Sequence, residues 1–511
     1  MLPEETISRI ISDIESYEPL KNLALCSSQF HRITVPYLYS HVCLRDDGSS
    51  QLEEHLYKNT PSFIHLRNIT VLLLRTPEYA QHVRRFTMRE QFQTGSDIKI
   101  WEEIYERDDV VWEEIDEVLK EAIKTYSHSK EEEALWLRDV AEDRHEDALL
   151  ALLLPALVKL KCLDLAMAAG ANYFARLIKR VGRKEKPFDS SPSLSALTDI
   201  MNTVSDEEYG MAPSYFALYF DLPAVRSIYS HRLASANDED DNAPPELELA
   251  ALDPGTSSVT HLELKDCKLH RTDIIRTLRS PKALTTFIYE LGIGLSYCGH
   301  NLPAILSGLE THKHSLENLW LDHPNGDEWR TDGDGMDDMT PIAFFANFQV
   351  LRNVRIGTGF IFGEDDRKDF GDEERREVRR RLVEGLPPSI EMLRITHCAD
   401  QFLRVLSAVE GLLEQKEKRF VYLKAIALEA PWSFMAEFWD RADTLLYLAD
   451  TNGVRFTAMN DNTIAGPCYS PGWPERAWGM EEDIYWAHGF NGLNTREVMK
   501  VVDIRRSRIC S

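Results

Sequence analysis

The sequence predicts an α/β fold, a stack of short strands and helices preceded by a small helical unit. Three observations carry that prediction: a recurring apolar pattern of strand type, helical spacing between its copies, and a dense apolar stretch at the N-terminus. Four zones follow from composition. They span residues 1–44, a charged helical linker over 45–147, the repeat region over 148–462, and an aromatic segment over 463–511.

The repeat pattern is apolar-x-x-apolar-x-apolar. Its copies are LPALVKLKCLDLAMA from Leu154, LPAVRSIYSHRL from Leu222, SSVTHLELKDCKL from Ser257, SLENLWLDH from Ser315, FQVLRNVRIG from Phe348, PPSIEMLRITHC from Pro387 and RFVYLKAIALEA from Arg419. PKALTTFIYELG from Pro281 is a weak copy, and the one from Leu222 fits least well. The closing pairs, such as Leu163/Leu165, Leu262/Leu264, Leu319/Leu321 and Leu393/Ile395, have the period of two expected of a strand with one buried face. Between copies, RTDIIRTLRS (Arg271 to Ser280) and EERREVRRRLVEGL (Glu373 to Leu386) read as helices.

One strand and one helix cannot bury their apolar faces alone, whereas stacked copies share a continuous core. The expected architecture is therefore an irregular leucine-rich-repeat solenoid, with acidic insertions at 235–246, 323–339 and 363–374 looping out. An ordinary α/β domain whose buried strands happen to match is the competing reading. In the linker, Ile104, Val111, Ile115, Val118 and Leu119 lie near helical spacing opposite a carboxylate face. Beyond the repeats, Trp473, Trp478, Tyr485, Trp486 and Phe490 are expected to cap the open end of the stack, with exposure to a partner as the alternative.

Composition excludes several function classes. Hydrophobic residues make up 43% and charged residues 28%, enough for a packed core. The net charge of −26 argues against nucleic acid, whose binding needs a basic surface, and against anionic membranes. Glu4 and Glu5 stand where a secretory signal would carry Lys or Arg, and the most apolar run, Ala148 to Leu160, is too short to span a bilayer. The eight cysteines are scattered without a CxxC pair, as expected of buried thiols in a reducing compartment. Cytoplasmic or nuclear residence is the expectation.

Catalytic and metal patterns are missing. GLSYCG at Gly294 has the wrong spacing for a nucleophile elbow, and no phosphate-binding glycine loop or HExxH occurs. An EF-hand loop counted from Asp332 would need Gly and Glu where Asp337 and Ala343 stand. His312 and His314 lack a third ligand. No catalytic residue, cofactor or metal is assigned, although an enzyme of unfamiliar type stays open because triad geometry need not show in sequence.

The N-terminal stretch is the most informative. Leu2-Pro3 followed by Glu4-Glu5 reads as a helix start, with acids at the positive end of the dipole. Ile7, Ile10, Ile11 and Ile14 form one helical face; Leu20, Leu23 and Ala24 form a second; Phe30, Ile33, Tyr37 and Leu38 form a third. Three short helices bury little surface alone, so the surplus of apolar positions points to docking on the rest of the chain or on another protein.

These residues resemble the F-box as found at the N-terminus of fungal F-box proteins. The resemblance rests on Leu2-Pro3-Glu4, Ile7, Ile10-Ile11, the block from Leu20 to Cys26, Phe30-His31, and Pro36-Tyr37-Leu38-Tyr39 running into His41 to Leu44. It departs from the family at Glu15 to Glu18, where the link is acidic and Tyr17 stands near the usual apolar position. The resemblance implies a substrate-recruiting subunit of a Skp–cullin–F-box ubiquitin ligase, not itself an enzyme. Leu2, Pro3, Ile7, Ile10, Ile11, Leu20, Leu23, Leu25 and Phe30 would form or support the surface for the Skp adaptor. A cullin would join through that adaptor, and the repeat region would hold an unidentified protein substrate. An F-box scaffold acting outside ubiquitination is the alternative.

Overall fold

The computed structural model describes residues 3–14, 17–44, 62–88, 115–141, 145–166, 171–203, 210–235, 252–292, 302–322, 345–362, 371–398, 401–430 and 444–460. The chain divides into two compact units: Met1–Val259 with Ser280–Lys282, and Thr260–Arg279 with Ala283–Ser511.

Unit 1 opens with three helices, α1 (Glu4–Ser12), α2 (Tyr17–Cys26) and α3 (Ser28–Leu38). Strand β1 (His41–Leu44) follows directly. Helix α4 (Ser62–Arg75) leads to β2 (Arg85–Met88); α5 (Glu117–Tyr126), α6 (Lys130–Ala141) and α7 (Glu146–Leu153) lead to β3 (Cys162–Ala166). Helix α8 (Asn172–Gly182), β4 (Asp199–Thr203) and β5 (Ser227–His231) complete the set. All five strands pair in parallel and in chain order.

Unit 2 repeats the scheme with β6 (His261–Cys267), α9 (Arg271–Arg279), β7 (Thr286–Leu291), α10 (Leu302–Leu309), β8 (Asn318–Asp322) and β9 (Asn353–Gly357). It continues with α11 (Asp372–Gly385), β10 (Met392–Thr396), α12 (Phe402–Glu414), β11 (Ala425–Ala430) and β12 (Arg455–Asn460). These seven strands are likewise parallel and sequential.

Register explains the apolar pattern. Leu262, Phe287, Leu319, Val354, Leu393 and Ile426 stand side by side across the sheet, and Leu264, Tyr289, Leu321, Ile356, Ile395 and Leu428 form a second row. All twelve side chains are buried. Each is stabilised by about 1.5–3 kcal/mol relative to an exposed position. The apolar residue three places before the first row fills the turn entering each strand: Leu284, Leu316, Leu351, Ile390 and Leu423 are all buried. A second regularity lies in the backbone. The carbonyl just before a strand accepts two successive amides of the next copy, as Arg84 does from Lys161 (2.8 Å) and Cys162 (3.0 Å), and Glu391 from Lys424 and Ala425.

Every quoted copy of the pattern contains a strand, the weak copies at Leu222 and Pro281 included. The stack also begins earlier than the quoted copies. Strands β1 and β2 belong to it, with Tyr39-x-x-Val42-x-Leu44 and Val83-x-x-Phe86-x-Met88 in the same form. The helical readings at 271–280 and 373–386 match α9 and α11. In the linker, Leu119 and Ile123 are the buried residues of α5, whereas Ile104 and Val111 lie outside the described residues. The aromatic segment, the Asp332 cluster and GLSYCG also lie outside them.

Helix α8 is anchored by a distant carboxylate. Asp147, buried in α7, accepts the amides of Tyr173 (2.7 Å) and Phe174 (2.8 Å), satisfying two of the orphan donors of the first turn. Burial pushes its carboxyl up to about 7, against the pull of those two amides and of Arg176. The folded chain therefore holds a proton that the unfolded chain releases near its ordinary carboxyl value. That contribution to stability is complete below the unfolded value and is lost as pH rises through about 7. Asp147→Asn is expected to flatten this decline, as read by chemical denaturation across that window; an equally steep decline in the variant would contradict it.

Candidate functional site

The N-terminal unit is built around a small core of Ile11, Leu20 and Ile33, with Ile7, Ile14, Leu23, Phe30, Tyr37 and Leu38 packed against it. Its helix ends are set locally. The carbonyl of Pro3 accepts the amides of Thr6 and Ile7 at 3.1 Å, and Ser27 caps α3 by accepting from the Phe30 amide, also at 3.1 Å. Tyr37 and Ser8 share a hydrogen bond of 2.7 Å, and an ion pair joins Arg32 of α3 to Glu4 of α1. The unit is also tied to the sheet. Ser40, just before β1, accepts the amides of Arg84 (2.8 Å) and Arg85 (3.0 Å), and the Tyr39 ring stacks on Tyr79 at 4.5 Å.

The nine residues assigned to docking separate into three groups. Ile11 and Leu20 are core, Ile7, Leu23 and Phe30 flank that core half-buried, and Pro3, Ile10 and Leu25 are exposed. Leu2 lies outside the described residues. Ile10 keeps 53% and Leu25 77% of their surface in solvent, and Tyr17 of the acidic link keeps 61%. Ile10 and Leu25 are not among the residues that form or pack against the unit's core.

Unit 2 carries a second arrangement, on the sheet face opposite the apolar rows. Arg355 of β9 meets Asp322 of β8 at 2.6 Å and Glu429 of β11 at 3.2 Å. Arg394 of β10 converges on the same Glu429 carboxylate. Asp322 also accepts from the Thr396 hydroxyl (2.9 Å) and the indole of Trp320 (3.1 Å), and bonds the His397 ring at 2.8 Å. Lys265 and Arg355 each lie 3.8 Å from the Trp320 ring centre, and Lys265 pairs with Glu290 at 3.3 Å. His397 adopts a left-handed backbone (φ 55°), uncommon for a residue with a side chain. Arg355 and Arg394 occupy the x between the two closing apolar positions, and Asp322 and Glu429 the place just after them; a strand reading expects solvent at both, yet all four are buried. Sequence reasoning did not single them out; the signal available was the charge alternation from Asp322 to Glu429 at those positions. The cluster places guanidiniums against carboxylates, so the buried charges of β8, β9, β10 and β11 are paired.

His312 is structural. Its Nδ1 accepts from the Leu284 amide (3.2 Å), its Nε2 donates to the Leu278 carbonyl (2.6 Å), and burial lowers its pKa. Among the described residues, no group of three or more His, Cys, Asp or Glu is placed to hold a metal ion, and no helix is long and apolar enough to cross a membrane. Cys26, Cys43, Cys162, Cys267 and Cys398 form no disulfide. No known family model matches the chain, and no curated protein matches it either.

Proposed function

We propose that the chain is an F-box receptor whose N-terminal unit docks on a Skp-type adaptor and whose leucine-rich-repeat-like sheet carries a protein substrate. The observation that carries this reading is the exposure of Ile10 and Leu25 beside a closed core of Ile11, Leu20 and Ile33. The direct passage from α3 into β1 adds support, since Ser40 between them is hydrogen-bonded to the next strand of the stack. In this role the protein performs no covalent step. It raises the effective concentration of a bound substrate beside a ubiquitin-loaded enzyme held elsewhere in the complex.

Co-expression of the full chain with a Skp-type adaptor, followed by affinity capture, tests the reading. The adaptor is expected in the captured complex, with a cullin recovered from the same lysate. Capture of the adaptor without a cullin would favour a scaffold outside ubiquitination, and failure to capture the adaptor would remove the F-box reading.

A further inference from the structure

On the face of unit 2 that carries the charged cluster, the first position of two successive strands is an asparagine. Asn318 opens β8 and Asn353 opens β9, although asparagine is depleted in strands. The two stand in register, with Thr286 of β7 on one side and Met392 of β10 on the other. Their amides form a short ladder. Asn353 Nδ2 donates to Asn318 Oδ1 at 2.7 Å, and Asn318 Nδ2 donates to the Thr286 hydroxyl at 3.0 Å.

The ladder fixes how each amide is turned. Asn318 is left with one N–H, and Asn353 with one N–H and its carbonyl oxygen, none of them bonded among the described residues. An N–H and a C=O held in one plane match the C=O and N–H of a peptide unit. Across β8, β9 and β10, Asn318, Trp320, Asn353 and Met392 are half-buried on this face, whereas Asp322, Arg355, Arg394 and Thr396 are buried. The cluster charges are paired, Arg355 with Asp322 and Glu429, and Arg394 with Glu429. Along the adjoining rim Glu317, Arg352, Glu391 and Lys424 alternate in sign. Each of these two sets sums to zero.

We propose that Asn318, Asn353, Met392 and Trp320 hold an extended, uncharged segment of the substrate protein by its backbone, with an apolar side chain of that segment on Met392 and Trp320. This rests on the reading of the sheet as the substrate carrier, and adds the class of segment that it takes. Charge complementarity selects that class: a run of lysines or glutamates would give up its hydration against a face that offers no net counter-charge. From Asn318 to Met392 the row covers two strand spacings, about 10 Å, the span of about three residues of extended chain. The unbranched thioether of Met392 adapts to side chains of different shape.

The test is panning of a displayed library of random-sequence peptides on the immobilised full-length chain, followed by fluorescence anisotropy of the most enriched peptide. The enriched peptides are expected to share an uncharged stretch of about three residues that includes an apolar side chain. Asn353→Ala should weaken binding about tenfold, and Met392→Asp at least about tenfold. The exposed Glu310→Gln should stay within about twofold. N-methylation of the peptide nitrogens, one at a time, reads the backbone contact on the unaltered protein, and at least one position should lose about tenfold. None of these changes touches α1 to α3, so adaptor docking and peptide binding succeed or fail separately. Absence of enrichment, enrichment of peptides with charged cores, equal affinity of the wild type and both face variants, or indifference to N-methylation at every position would overturn the proposal.

Discussion

Replacing Glu429 by glutamine is expected to destabilise unit 2 by about 3 kcal/mol, the low end of the cost of breaking a buried ion pair. Glu429 retains only 1% of its surface in solvent, and both Arg355 and Arg394 converge on its carboxylate. The glutamine keeps the shape and one acceptor but removes the charge that offsets two desolvated guanidiniums. Arg355 still has Asp322, which is why the loss stays at the lower end. Glu310→Gln provides the contrast. Glu310 pairs with Lys313 at 3.0 Å in an exposed setting, and its loss should shift stability by at most about 0.5 kcal/mol. Chemical denaturation followed by circular dichroism measures both. Equal shifts in the two variants would show that the buried arrangement adds nothing beyond an exposed pair.

The second large effect concerns the N-terminal unit. Ile10→Asp combined with Leu25→Asp is expected to weaken adaptor binding at least about 100-fold while leaving the helices intact. Each aliphatic side chain buried in an interface contributes about 1.5–3 kcal/mol, and an aspartate in its place adds the cost of desolvating a charge. About 2.7 kcal/mol suffices for that factor. Because Leu25 is largely and Ile10 about half exposed, the unbound fold loses little packing. Ile11→Asp should behave differently, since Ile11 lies in the core with Leu20 and Ile33 and the substitution places a carboxylate there. Its binding loss would come with a loss of helix, readable by circular dichroism of an isolated α1–α3 peptide beside the full chain.

Much of the sheet was legible because period-two apolar pairs at Leu163/Leu165, Leu262/Leu264 and Leu393/Ile395 mark strands with one buried face, and their recurrence along the chain points to repeated strands. Strand β4 escaped notice because Asn202 occupies the last apolar position of its copy. Strands β1 and β2 fit the pattern but lie in stretches whose helical and charged character dominated the reading. The N-terminal core was legible for a related reason: helical spacing brings Ile7, Ile11 and Ile14 to one face, and that face is where the structure packs them. Spacing alone could not divide the apolar residues between core and surface. Ile10 and Ile11 are neighbours in sequence, and the packing of α1 on α3 decides which of them is covered. The ionic arrangement around Glu429 was illegible because its members are far apart in sequence, Arg355 and its carboxylate partner being separated by 74 positions.

The central claim is that the apolar side chains left uncovered on α1 and α2 belong against a separate adaptor. Calorimetric titration of a purified Skp-type adaptor into the full-length chain measures this directly, for the wild type and for the Ile10→Asp, Leu25→Asp double variant. The account predicts a saturable complex of one adaptor per chain for the wild type, and an affinity lower by at least about 100-fold for the variant with unchanged circular dichroism. Equal affinities for the two proteins, or no heat of binding from the folded wild type, would contradict it.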